Sequence, residues 1–416
     1  MDRVVRDPEE EAPLVPISDW LARVLSRIAP LPARRTTLDE AWGCVLAADV
    51  RATADLPGFT SSAMDGFAVR AADIASASLE RPVDLRISGE VRMGHAPTGS
   101  VGAGEAVVVP TGGVVPSGAD AVVPVELCAV EGDVVRVLRA LPPGKHVRPA
   151  GEDVRKDELL VGAGRRLAAP DIGALAAAGI DAVAMVPRAR VGIVSTGDEL
   201  VAPGEPLGEA QLYDSNARVL SAAVREAGAI PVYGGIARDD PGALTAALDR
   251  IASEVDVFVC SGGVSAGERD PVKGAFLGGD EIEFANVAMQ PGRPQAFGIY
   301  RGKPFFGLPG NPVSVFVSFV VFAEPALGKL MGRNATRAEV TAVLEGDLEA
   351  SRTRTRTRYA RVRVRREGGV LVAAPEGGHQ SNLLATFARA DGLAVIPAGT
   401  RLRSGEMCRV LLVRDV

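Results

Sequence analysis

The feature that constrains this chain most is an alternation that begins near residue 190. "RVGIVST" (190–196), "AIPVYGGIA" (229–237) and "DVFVCSGG" (256–263) are short apolar runs rich in β-branched residues. Between them lie two helical stretches, "DSNARVLSAAVREAG" (214–228) and "DDPGALTAALDRIASEV" (239–255). The first has cap candidates in Asp214, Ser215 and Asn216; the second has Asp240 as cap and Pro241 at its first position. Strands alternating with helices imply a parallel, doubly wound α/β sheet. "PFFGLPGNPVSVFVSFVVFA" (304–323) then reads as strand, tight turn and helix, with Asn311 as cap and Pro312 at N1. Its apolar part, 313–323, is cut by Glu324 and Pro325 and is too short to span a bilayer.

Ligands of such a sheet bind at the carboxyl ends of its strands. Four loops fall there: "STGDEL" (195–200), "ARDD" (237–240), "SGGVSAGERD" (261–270) and "GLPGNP" (307–312). Taken singly, each reads as a turn or a helix cap. Together they set glycines, which permit close backbone approach, beside helix-start N–H groups that attract anions. Asp198, Glu199, Asp239 and Asp270 offer oxygens suited to a hard cation such as Mg²⁺. Lys273 and Arg293 offer charge suited to phosphate or another oxyanion. The 261–270 loop lacks the G-x-x-x-x-G-K-[ST] spacing of a P-loop, which argues against an ordinary ATPase. Acids and bases around one glycine-lined cleft point to metal-assisted chemistry on an anhydride or oxyanion.

The rest of the chain divides around this core. With 416 residues, roughly three domains is the length-based expectation. Residues 1–15 read as a disordered tail. Residues 16–50 and 148–188 read as one mainly helical, discontinuous domain. It includes two short helices in "ISDWLARVLSRIAP" and "TLDEAWGCVLAADV" and a later one between Pro170 and Gly179. Thr37 and Glu40 have capping-box spacing. Residues 51–147, with short β-rich runs broken by Gly and Pro, read as an inserted small β domain. Residues 189–333 form the α/β domain. Residues 334–416 read as a C-terminal β-barrel with a hairpin at Gly368–Gly369. In "RTRTRTR" (352–358) the arginines repeat every second residue, as on one face of a solvated edge strand.

Composition narrows the function classes. A net charge of −6 and 4% aromatic residues argue against nucleic acid, and that charge also gives no attraction to an anionic membrane surface. Cys44, Cys128, Cys260 and Cys408 are too scattered for a zinc cluster or disulfide framework and fit a cytoplasmic location. The acidic N-terminus has no apolar run of the kind a secretory leader needs. His95, His146 and His379 share no catalytic or metal spacing and read as ordinary polar residues.

Seven stretches occur in a fixed order: "LPGFTSSAMDGFAVR", "AGEDVRKDELL", "VGIVSTGDEL", "LYDSNARVL", "CSGGVSAGERDPVK", "QPGRPQAFG" and "FGLPGNPVSVFVSF". Together they resemble the MoeA-type molybdopterin molybdenumtransferases, a family that includes the C-terminal part of gephyrin. The resemblance implies a four-part subunit: a helical part of two segments, an inserted β domain, a molybdopterin-binding α/β domain and a β-barrel. It implies a homodimer whose cleft lies between subunits. It also implies a reaction in which adenylylated molybdopterin and molybdate combine, with Mg²⁺, to give the molybdenum cofactor and AMP. Handover of substrate from a molybdopterin adenylyltransferase is the partner relation that goes with it.

On this resemblance Asp65 and Asp153 are catalytic or metal-positioning acids that complete the partner's site. Glu199 and Asp270 are the acids of the α/β domain, with Lys273 and Arg293 as cations. Ser195, Thr196 and Gly197 belong to the substrate site. Ser261, Gly262, Gly263 and Ser265 would hold the pterin phosphate, and Pro309, Gly310, Asn311 and Pro312 shape the cleft. Arg356 and Ser381 approach molybdate, in a run where the arginine register can shift by one repeat. Many family members have "KPGKP" where this chain has "QPGRP", so Arg293 keeps the charge and Gln290 does not. The alternatives are the adenylyltransferase step and a non-enzymatic, gephyrin-like dimeric scaffold.

Overall fold

The computed structural model describes residues 13–264, 270–276, 281–351 and 354–416. Most of the expected tail therefore lies outside the described residues, as do Ser265, Glu268, Arg269 and Arg352. The chain forms two compact units. One comprises Arg35–Trp42 and Leu46–Met185; the other takes the described residues up to Arg34, Gly43–Val45 and Val186–Val416.

The larger unit holds a six-stranded sheet. Its order is Ile230–Ala237, Arg190–Thr196, Val257–Ser261, Lys303–Leu308, Pro294–Tyr300 and Ile282–Asn286. The first four strands are parallel, and Pro294–Tyr300 runs antiparallel to both of its neighbours, Lys303–Leu308 and Ile282–Asn286. Successive side chains of each strand face opposite sides, so the sheet carries two cores. Val191, Ile193 and Val259 pack with Leu220 and Val224 of helix Asn216–Glu226. Val194, Phe258 and Cys260 pack with Leu244, Leu248 and Ile251 of helix Pro241–Ile251. Helices on both faces make the sheet doubly wound, as the alternation predicted. The strand order reverses between Arg190–Thr196 and Val257–Ser261, which puts the switch point at Thr196 and Ser261. The apolar stretch Pro312–Leu330 runs through the first core, with 83% of it buried.

The first helix, Ile17–Ser26, was expected to belong with 148–188. Its stripe of Trp20, Val24 and Ile28 instead shares the core of the α/β sheet. Leu31 N–H donates to the Leu330 carbonyl (2.8 Å) and Lys329 Nζ to that of Leu25 (2.8 Å). Val15, counted with the tail, pairs with Val287. The second expected helix shrinks to Leu38–Ala41. Thr37 makes no side-chain cap bond, and Gly43, at φ 75°, ends the turn before strand Val45–Leu46.

The barrel closes through five strands. Thr357–Glu367 pairs with Val370–Pro375 and with Gly392–Ile396, and Glu339–Leu344 and Met407–Leu412 complete the ring. Both turn glycines have positive φ, 55° and 85°, as a two-residue hairpin turn requires. The edge-strand reading of the arginine run does not hold. The strand begins at Thr357 and is paired on both sides, and Arg358 and Arg361 are buried.

The smaller unit carries a mixed sheet in the order Ala121–Pro124, Gly66–Val69, Glu105–Val109, Val83–Glu90, Val134–Val137, Cys128–Glu131. Helix Ala169–Ala177 starts with Asp171 accepting from Ala168 N–H (2.8 Å) and ends before Gly179, at φ 73°.

Candidate active site

The carboxyl ends of the parallel strands border a cavity of about 680 Å³. Six of the sequence-predicted residues line it: Glu199, Gly263, Pro309, Gly310, Asn311 and Pro312. Two consecutive left-handed glycines, Gly262 (φ 91°) and Gly263 (φ 73°), shape the turn after Val257–Ser261. A Cβ on Gly262 would come within 2.7 Å of Thr196 Oγ1. Gly262 Cα lies 3.7 Å from where a Cβ of Gly310 would be, so these two loops meet at bare backbone. Helix Asn216–Glu226 and the helix at Pro312 both start at the cavity wall, bringing their positive dipole ends to it. Asn311 stands at the cap position but makes no side-chain cap bond.

Beneath the wall lies a buried polar chain. Ser261 Oγ donates to Ser195 Oγ (3.1 Å), which donates to Asp214 Oδ1 (3.0 Å). Asp214 also accepts from Ala217 N–H (3.0 Å), capping the helix, and from Tyr233 Oη (3.3 Å). Burial, with the Asp214 charge beside it, pushes the Tyr233 hydroxyl up from its ordinary pKa. Ser195 and Ser261 were expected to touch substrate, yet they are 0% and 1% exposed. They support the wall from behind, because the serines at strand ends face the sheet interior. Thr196 is buried likewise and donates to the Ser261 carbonyl (3.4 Å).

The acids separate into distinct places. Asp198 accepts from Asp239 N–H (3.3 Å) and Asp239 from Asp198 N–H (3.4 Å), so the loops after the first two strands hold two carboxylates together. That pair fits Mg²⁺, which commonly takes one or two carboxylates and keeps several waters. No cluster of three or more His, Cys, Asp or Glu groups forms among the described residues, so Glu199 and Asp270 do not join this pair. Asp270 is buried and accepts from Val272 and Lys273 N–H (3.2 Å each) at the start of helix Pro271–Phe276. Gly197, at φ 152°, begins the first loop, where a Cβ would meet the Glu199 carboxylate at 2.7 Å. Lys273 and Arg293 are half-buried; Arg293 lies between the wall residues Gly292 and Pro294.

A second cavity of about 190 Å³ borders Gln290, Arg358, Arg361, His379 and Gln380. Val313 lines it, whereas Pro312 and Ser314 line the larger cavity, so one helical turn walls both. Arg358 donates to the Glu349 carbonyl (2.7 Å) and meets His379 Nδ1; Arg361 donates to the carbonyls of Leu383 (3.0 Å) and Gly378. Burial holds both guanidinium pKa values below their usual range. The arginine on this wall is thus Arg358, one repeat beyond Arg356, and the exposed His379 stands beside it. Ser381 accepts from Val313 N–H through its carbonyl (3.0 Å), and its neighbour Asn382 lines the larger cavity.

In the smaller unit Asp65 and Asp153 are exposed. Asp65 Oδ1 accepts from Thr111 N–H (2.7 Å), which holds its carboxyl below the usual range. Gly66 is obligatory beside it, since a Cβ there would run into the Val123 carbonyl oxygen. Sequence reading missed Tyr213, Asn216 and Asn382 as wall residues and Asp214 as the hub of the chain below. "YDSN" before a helix reads as a cap, and only burial marks it as a wall.

A doubly wound α/β sheet with a cavity at its switch point, followed by a closed barrel that lends that cavity a wall, defines a multidomain α/β protein built to hold a small ligand. Its relatives narrow the class. Residues 15–179 match the MoeA N-terminal region (domain I and II), 192–329 a probable molybdopterin binding domain, and 341–413 the MoeA C-terminal region (domain IV). Molybdopterin molybdenumtransferase 2 of Mycobacterium tuberculosis (strain ATCC 25618 / H37Rv) is 41% identical over 385 residues, 89% of this chain and 94% of that protein. Molybdopterin molybdenumtransferase of Bacillus subtilis (strain 168) is 32% identical over 409 residues, 96% of this chain and 94% of that one. The crystal structure of the molybdopterin biosynthesis MoeA protein from Pyrococcus horikosii matches 97% of this chain and 100% of its own, with 32% identity and a TM-score of 0.83. The chain belongs to the MoeA family.

Proposed function

We propose that this chain is a molybdopterin molybdenumtransferase, which joins molybdate to adenylylated molybdopterin and releases AMP. The observation that carries this reading is the cavity at the sheet's switch point, in a chain that belongs to the MoeA family over nearly its whole length. In the reaction, water oxygen bonds to phosphorus, the anhydride P–O bond breaks and AMP leaves. The dithiolene sulfurs bond to molybdenum, and their two protons leave with one molybdate oxygen as water. The substrate supplies the sulfur ligands, so the protein needs no cysteine cluster.

The residues divide this work. The Ser314 N–H at the Pro312 helix start and the Gly263 N–H of the adjoining turn bind the substrate's phosphate. Asp198 and Asp239 hold Mg²⁺, which neutralises charge on the anhydride when bound. Arg358, Arg361 and His379 hold molybdate in the smaller cavity, and Arg293 and Lys273 add positive charge. Glu199, on the larger cavity's wall, orients the attacking water. Gln290, uncharged where many relatives carry lysine, leaves oxyanion binding to the arginines. Asp65 and Asp153 act in the site of a second subunit, so the working form is a homodimer. The setting is cytoplasmic, consistent with four free thiols, and the substrate arrives from an adenylyltransferase.

The test supplies adenylylated molybdopterin, molybdate and Mg²⁺ and follows AMP release and molybdenum incorporation. Absence of turnover by the wild type overturns the reading. Mixing Asp65→Asn with Glu199→Gln tests the shared site. One intact site per mixed dimer restores roughly a quarter of wild-type activity after random exchange; no restoration rules out a contribution from the second subunit.

A further inference from the structure

One wall residue of the larger cavity has an unused hydrogen-bonding atom. Asn216 is 8% exposed, and its Oδ1 is buried without a hydrogen-bond partner. Its Nδ2 donates to the Gly310 carbonyl at 2.7 Å. That bond fixes the amide's orientation, because a flip would set Oδ1 against another acceptor. Buried acceptors in native proteins are ordinarily satisfied, and leaving one empty is unfavourable. The residue is the first of helix Asn216–Glu226, on the wall between Asp214 and the Gly310 loop.

We infer that Asn216 Oδ1 is a specificity acceptor that receives an exocyclic amine N–H from a heterocycle of the bound substrate. An acceptor is not satisfied by the unprotonated oxygens of phosphate or molybdate, so this part of the wall reads a donor group rather than an anion. Adenylylated molybdopterin carries two such donors on its heterocycles: the exocyclic amine of adenine and the 2-amino group of the pterin. Both offer the same chemistry to the acceptor. The Gly310 carbonyl acts as the tether that keeps the oxygen pointed, so the glycine-proline loop and the helix start work as one reader. The inference rests on the proposed function, since that reading names the substrate.

Two ligand pairs separate the sources. Binding of AMP is compared with that of purine riboside 5′-monophosphate, which lacks the amine. Binding of 6-hydroxymethylpterin is compared with that of its lumazine counterpart, whose 2-oxo group replaces the amine. Wild type is expected to prefer the amine-bearing member of one pair by roughly tenfold or more, as befits one hydrogen bond to a buried partner. Asn216→Ala removes the acceptor and, with it, the preference. Equal binding within both pairs by wild type overturns the inference, a measurement that needs no variant to fold. An unchanged preference in folded Asn216→Ala overturns it as well. Molybdenum insertion is measured alongside. Turnover without discrimination defeats this inference alone, and discrimination without turnover defeats the proposed function alone.

Discussion

Asp214 and Asp65 are both aspartates that a sequence reading would place near chemistry, but they stand in opposite environments. Asp214 is 1% exposed and has two hydroxyls and a backbone N–H around it. Asp65 is exposed and receives one backbone N–H at Oδ1. A carboxylate enclosed by donors joins strands to a helix, whereas one that faces water keeps oxygen free for a metal or substrate. An acid in a motif is therefore not a role, and its surroundings decide between architecture and reaction.

The largest effect that tests this contrast is on stability. Asp214→Ala strands the donors of Ser195, Ala217 and Tyr233 and is expected to lose on the order of 3 kcal/mol or more in denaturant unfolding. Asp214→Asn, which keeps one oxygen, loses less. Should Asp214→Ala unfold like the wild type, the architectural role fails. Asp65→Asn is expected to do the reverse. Its turnover drops about a hundredfold or more, while its stability stays within about 0.5 kcal/mol, as for other surface changes. Normal turnover in that variant removes Asp65 from the reaction.

Gly66 sharpens the same comparison, since it positions Asp65 without touching solvent chemistry. Gly66→Ala drives a Cβ into the Val123 carbonyl and costs about 1–3 kcal/mol or more. Gly89→Ala, with nothing within 4 Å, stays within about 0.5 kcal/mol. Equal unfolding midpoints for the two would refute the steric account.

The smallest effect concerns a third acid, Glu324, buried against Arg337 at 3.0 Å. Burial raises its carboxyl above the usual range, and the Arg337 charge offsets this in part. A raised folded value means that the neutral acid is favoured on folding. Its contribution is full below the ordinary glutamate pKa and is lost as pH rises through the folded one. The stability of wild type relative to Glu324→Gln therefore declines across that window in parallel melts. A flat difference removes the linkage.

Much of the α/β core was legible. Asp240 accepts from Ala243 N–H (2.7 Å) with Pro241 next in line, and the glycine pairs turn where they were placed, because these signals are local backbone chemistry. The candidate site was half legible. Glu199, Gly263 and residues 309–312 are on the wall because strand ends must converge in a doubly wound sheet. Ser195 and Ser261 looked alike in sequence and turned inward, since a strand's alternation fixes which face each side chain takes. Asn216, Asn382 and His379 carried no signal beyond turn or surface composition.

By itself the sequence determined the order of elements, the parallel sheet, the barrel hairpin and the loops that carry glycine, all of which follow from periodicity and turn chemistry within short windows. Tertiary structure alone decided that helix Ile17–Ser26 joins the α/β core, that Arg358 takes the wall position, and that Asn216 keeps an empty acceptor. Each of these depends on contacts between residues far apart in the chain. Burial and hydrogen-bond completion are properties of such contacts and have no period to read.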